Sequence, residues 1–101
     1  MNGFSLHTPE QVGEILAERI RTLRLARGWK QTTLARRSGV SLGSLRRFEE
    51  SGRISLESLL KLTFALHRLD DFEGILRPPP ASSIAELEAA EKRPVRRRGR
   101  V

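Results

Sequence analysis

The sequence predicts an all-α protein folded around one tight corner between two short helices. Three observations carry this. Gln31 to Glu49 reads QTTLARRSGVSLGSLRRFE, a helix-sized run that breaks at Ser38-Gly39-Val40 and restarts at Ser41. Val12, Leu16, Ile20 and Leu23 keep a four-four-three spacing, the apolar stripe of an amphipathic helix. Positive charge, finally, gathers around the corner instead of spreading along the chain. Arg19, Arg21, Arg24, Arg27, Lys30, Arg36, Arg37, Arg46, Arg47 and Arg53 stand against only Glu49 and Glu50, a net of +8 within residues 19–53 of a chain whose total is +7.

Five helices are expected, in a domain spanning residues 9–77, after a loose arm at residues 1–8. Thr8-Pro9-Glu10-Gln11 opens the first: Thr8 caps, proline suits the first helical position, and Gln11 closes a capping box. The stripe then runs until Gly28. At the corner, Gly39 supplies a left-handed backbone position without steric cost. Ser41 carries the side-chain oxygen that caps the next helix. Ala35 is small enough to let the two helices cross closely, and Leu34, Val40, Leu45 and Phe48 fall where that crossing must be apolar. This is the layout of a helix-turn-helix, whose second helix fits the DNA major groove; an ordinary corner between helices is the blander alternative.

Ser55 caps the fourth helix, with Ile54 placed to staple onto Leu59. Leu56, Leu59, Leu60, Leu62, Phe64 and Leu66 make that helix apolar on more than one side, which implies burial on two faces. Asp70 is expected to cap a short fifth helix carrying Phe72, Ile75 and Leu76. Pro78-Pro79-Pro80 ends the folded unit and starts a stiff linker. Residues 78–101 form that linker and a basic tail. Ser83 to Glu86 offers a short helix start, and the apolar-poor run from Lys92 to Val101 is expected to be disordered when free.

Composition narrows the function classes. A chain of 101 residues has room for one small helical core. With no cysteine there is neither a disulfide nor a thiolate metal site. No apolar run has the length or setting of an export signal or a membrane span, so a cytoplasmic protein is expected. Residues 1–18 carry −3, residues 54–91 carry −4 and the last ten carry +6. A one-signed field around a groove-sized helix points to a polyphosphate partner. His7 and His67 have no third ligand at metal spacing, and Asp70, Asp71 and Glu73 suit a helix N-terminus without any catalytic role. Trp29 reads as a core plug between the first two helices, not a stacking platform.

Gln31, Leu34-Ala35, Gly39-Val40-Ser41, Leu45, Phe48-Glu49, Gly52 and the leucine-rich helix after them resemble the lambda-repressor/Cro-like (Xre) family, over the stretch from Leu16 to Leu76. The resemblance implies a five-helix lambda-repressor-like domain that binds double-stranded DNA as a homodimer, without catalysis or cofactor. It also implies a salt bridge between Arg24 and Glu49, which makes Arg24 architectural. Gln31, with Thr32 beside it, matches the start of the second helix, where the family touches phosphate. Ser41, Leu42, Gly43 and Arg47 match the exposed positions of the recognition helix. The chain departs here from the family's best-known readers, which carry amide side chains at the second and third of these positions.

Chemistry then assigns roles. Leu42 can touch only a thymine methyl, and Gly43 reads nothing but permits close approach. Arg47 is the candidate for direct readout, bidentate to a guanine. Ser44 and Arg46 face the same way, with phosphate contact equally open to them, and Arg53 is a candidate phosphate contact. Leu69, Phe72, Ile75 and Leu76 are too apolar for a lone terminal helix in water and are the candidate dimer interface. The operator expected of such a dimer is an inverted repeat with half-sites about one helical turn apart.

The run GRISLESLLKLTFALHRLDDFEGIL, followed by prolines and a basic tail, also resembles the short HipB-like antitoxins of the Xre family that pair with HipA-type kinase toxins. No ligand-sensing domain is visible, so control is expected from a partner, from concentration or from proteolysis. Residues 82–101 are of a kind that folds onto a second protein or lies along DNA, and Arg96, Arg97, Arg98 and Arg100 suit phosphates as well as a protein. A stand-alone Xre repressor and a sequence-neutral nucleic-acid binder are the alternatives.

Overall fold

Thr8 sets the first helix in place through a reciprocal cap. Its hydroxyl accepts from the Gln11 amide at 3.1 Å, and the Gln11 side chain accepts from the Thr8 amide at 2.9 Å. The computed structural model describes residues 7–80, with Phe4 and Glu88 singly. The rest of the expected arm, the short helix start at Ser83 and the basic tail lie outside the described residues. Among the described residues there are four α-helices, α1 (Pro9–Ala26), α2 (Gln31–Ser38), α3 (Leu42–Ser51) and α4 (Leu56–Ala65), followed by a 3-10 turn, Leu69–Phe72.

Local chemistry sets most boundaries. Gly39 ends α2 at φ 80° and Gly52 ends α3 at the same φ, each with its N–H returned to a carbonyl of the last turn. Ser41 and Ser55 cap α3 and α4 by accepting from Ser44 and Ser58. Past α4, His67 adopts φ 61° while Arg27 donates from Nη2 to the Leu66 carbonyl at 3.0 Å.

The core is assembled from all four helices. Ala17 and Ile20 of α1 meet Leu34 and Ala35 of α2, Val40, Leu45 and Phe48 at the corner and α3, and Leu62 and Leu66 of α4. Phe48, Leu34, Leu45, Leu62 and Leu66 are fully buried, and each such side chain contributes about 1.5–3 kcal/mol relative to exposure. One contact in this core is made by backbone alone. A Cβ on Gly13 would stand 2.6 Å from the Gly52 carbonyl oxygen, and one on Gly52 would stand 2.7 Å from the Glu14 amide nitrogen. The pair of glycines lets the end of α3 lie directly on α1.

The fifth helix is not there. Residues 69–72 make one 3-10 turn and the chain continues in turns to Leu76, which sits at φ 58°. Gly74 weakens any helix in this stretch, and Pro78 bars Arg77 from helical backbone, so the segment is too short to repay nucleation. Asp70 lies inside the turn and caps nothing α-helical.

Burial of α4 also differs from expectation. Leu62, Thr63 and Leu66 face the core, but Leu56 and Phe64 are 66% and 68% exposed. The second apolar face of this helix is left uncovered. Contacts divide the chain into two units, Met1–Asp71 and Phe72–Val101. Within the second, the Arg77 guanidinium donates to the Glu73 carbonyl and carboxylate, and Leu76 is 96% exposed.

Candidate nucleic-acid interface

The first turn of α3 is where side chains and free amides converge on open solvent. Ser41 Oγ accepts from the Ser44 amide at 3.1 Å and donates to Ser44 Oγ at 3.0 Å, which leaves the Ser44 hydroxyl proton for an outside acceptor. Leu42 is half-buried against the core and anchors the turn. Gly43 is exposed, and a Cβ there would meet nothing within 4 Å. Arg46 and Arg47 follow one turn later, both exposed. Arg53 is exposed just past the end of the helix. Ser51 braces that end: its hydroxyl donates to the Arg47 carbonyl at 2.7 Å and accepts from the Arg53 amide at 3.2 Å.

Behind this surface, a buried network fixes α3 against α1 and α2. Arg24 grips Glu49 with two hydrogen bonds of 2.9 Å, from Nε and Nη2, and its Nη1 donates to the Trp29 carbonyl. The Arg24 and Glu49 side chains are 8% and 4% exposed. Gln31, half-buried at the start of α2, donates from Nε2 to the same Glu49 oxygen that accepts from Arg24 Nη2. Its amide is therefore committed first to the network, and only its remaining N–H and its oxygen are left for a phosphate. Thr32 is exposed beside it.

Charge pairing separates this region from the rest. Arg21, Lys61, Arg68 and Arg77 each have a carboxylate partner near in sequence. Among the described residues, Arg27, Lys30, Arg36, Arg37, Arg46, Arg47 and Arg53 have none. A cation field without internal counter-charge is held for an external one. Lys30 adds to it at a local cost, since it stands at the N-cap of α2 without any side-chain hydrogen bond.

Two features went unread in the sequence. Trp29 packs against the core as expected, but its ring also carries Arg27 at 5.2 Å and Arg37 at 4.7 Å. An arginine two residues before a tryptophan was the available signal for the first; the second depends on how α2 folds back. The Gly13–Gly52 approach left no local trace, because the two residues meet only in the folded domain.

Of the expected dimer residues, Leu69, Ile75 and Leu76 are exposed and Phe72 is half-buried. No helix among the described residues is long and apolar enough to cross a membrane.

The capped α3, the tight glycine corner before it and the unpaired cations around it have the layout of a helix-turn-helix. Comparison with known families agrees with that layout: residues 20–66 match a helix-turn-helix family model. The match runs from α1 to Leu66 and contains the corner, the Arg24–Glu49–Gln31 network and most of the core, and it supports a DNA-binding transcription regulator. The chain matches no curated protein and no solved structure.

Proposed function

We propose that the protein is a sequence-specific repressor that binds an inverted-repeat operator as a homodimer. The observation that carries this is the field of unpaired cations, Lys30, Arg36, Arg46, Arg47 and Arg53, around the open first turn of α3. In this reading Arg47 hydrogen-bonds a guanine, Leu42 touches a thymine methyl, and Gly43 admits the base edge. Gln31, Thr32, Ser41, Ser44, Arg46 and Arg53 hold phosphates and set the register. One such unit covers too few base pairs for tight specific binding, so two are paired at successive major grooves. Leu69, Phe72, Ile75 and Leu76 are the apolar residues assigned to that pairing.

The biological setting we infer is a type II toxin–antitoxin pair in the cytoplasm. The protein would repress its own operon and hold a HipA-like kinase toxin. The likeness of residues 52–76 to HipB-like antitoxins supports this. Footprinting and competition on the DNA upstream of its own gene test the first part. Specific binding survives excess random DNA; a steep salt dependence with no sequence preference makes the protein a neutral nucleic-acid binder instead. Co-expression with the adjacent gene product tests the second. A stable complex that masks toxicity supports the antitoxin, and a neighbour neither toxic nor bound leaves a stand-alone repressor.

A further inference from the structure

Arg37 stands near the end of α2, yet its guanidinium lies near the start of that helix. The guanidinium carbon is 4.7 Å from the centre of the Trp29 ring, and Trp29 precedes the first residue of α2 by two positions. Gln31 and Arg37 are about 9 Å apart along the axis at 1.5 Å per residue, and an extended arginine recovers most of that distance because helical side chains point back toward the N-terminus. Trp29 gives it a fixed platform. The ring packs against the core, the Trp29 amide donates to the Arg24 carbonyl at 3.2 Å, and the Trp29 carbonyl accepts from Arg24 Nη1 at 2.9 Å. Arg27 stacks on the same ring at 5.2 Å, but its Nη2 is committed to the Leu66 carbonyl, which gives it an architectural role. Arg37 is different. Among the described residues it has no carboxylate partner, and its guanidinium donates to no side chain or carbonyl. An exposed, permanently charged group is held in place with all its N–H edges free.

We propose that Trp29 and Arg37 form a preset phosphate clamp, in which the indole holds the guanidinium ready for the DNA backbone beside the start of α2. The proposal rests on the DNA-binding reading above and adds two residues to it: Arg37 as a phosphate contact, and Trp29 as the residue that positions it. A phosphate is the anion this geometry fits. A planar guanidinium takes two oxygens of one phosphate side by side, and stacking on an aromatic face leaves the edges that do so open. Arg27 on the same ring keeps a second positive charge close by, which strengthens the local potential for an anion. The guanidinium also lies on the side of α2 where Gln31 and Thr32 are assigned to phosphate, so one stretch of DNA backbone meets all three. Holding the side chain beforehand strengthens the contact. A free arginine loses rotamer freedom when it grips a ligand; here that freedom is already lost on folding. Trp29 therefore acts on DNA without touching it, through the arginine it carries.

Titrations of the full chain at several salt concentrations test this, with two duplexes of equal length, one from upstream of its own gene and one of random sequence. Circular dichroism first checks that each variant is folded. Arg37→Ala lowers the salt slope by about 0.9 on both duplexes, the share of one phosphate, and leaves base preference unchanged. Trp29→Leu keeps an apolar plug but removes the ring. It weakens binding about two- to fivefold in the wild-type background and hardly at all in the Arg37→Ala background. Trp29→Phe recovers part of that loss, since a smaller ring still carries the cation. Where Trp29→Leu fails to fold, Trp29→Phe takes its place in the same cycle with Arg37→Ala. An Arg37→Ala variant with the wild-type slope overturns the proposal and leaves this cation for an acidic protein partner. A loss on changing Trp29 that is equal in both backgrounds overturns it too, because the ring is then a core plug alone. Sequence-specific reading fails separately: a wild type that binds both duplexes equally ends that reading, while the slope on random DNA still reports the clamp.

Discussion

Replacing Arg24 with methionine should nearly unfold the domain, and the reason is the charge it strands. The Glu49 carboxylate is 4% exposed and accepts from Arg24 Nε, Arg24 Nη2 and Gln31 Nε2. Methionine keeps the apolar stem but removes two of those three donors. A buried carboxylate with one hydrogen bond remains, and breaking such a pair from one side costs about 3–5 kcal/mol. A unit such as Met1–Asp71 holds on the order of 4–10 kcal/mol in total. Thermal unfolding followed by circular dichroism should therefore move down by roughly 12 °C or more. The companion variant separates stranded charge from lost packing. Arg24→Met combined with Glu49→Leu removes both charges and should lie within about 1–2 kcal/mol of wild type, well above the Arg24→Met single variant. The reasoning fails if Arg24→Met costs less than about 1 kcal/mol, or if the double variant loses the sum of the two singles.

Three other outcomes are expected. Arg47→Ala should cost roughly 1–3 kcal/mol in operator binding and relax base preference at one position of each half-site, while Arg53→Ala weakens all sequences nearly equally; quantitative gel shifts over a randomised operator distinguish these. Gly13→Ala forces a methyl to 2.6 Å from the Gly52 carbonyl and should destabilise the fold by about 1–3 kcal/mol in urea, since backbone must move on one side or the other. Lys30→Ser gives α2 the cap that α1, α3 and α4 already have and removes a cation from a helix N-terminus. It should raise stability by about 1 kcal/mol and reduce the salt slope of DNA binding by about one, read from denaturation and from titrations at several salt concentrations.

The helix starts, the corner and the direction of the charge were legible in the sequence because each is a local matter. Thr8, Ser41 and Ser55 cap within three residues of themselves, and Gly39 takes its left-handed turn for reasons contained in its own backbone. The basic field needed only counting. The Arg24–Glu49 pair came from resemblance, since nothing local joins residues 25 apart in the chain. The expected fifth helix failed on a local conflict: apolar spacing favoured it, and Gly74 with Pro78 opposed it within too short a stretch. What only the tertiary structure decided lies where distant segments meet. The sharing of one Glu49 oxygen between Arg24 and Gln31, the glycine-on-glycine contact of α1 with α3, and the two guanidiniums on Trp29 all depend on how the helices cross. The face of α4 left in solvent depends on it too. The leucine-rich composition of α4 announces more apolar surface than one face can hold, but which residues are spared is fixed by the neighbours that happen to reach it, and periodicity along one helix carries no record of those.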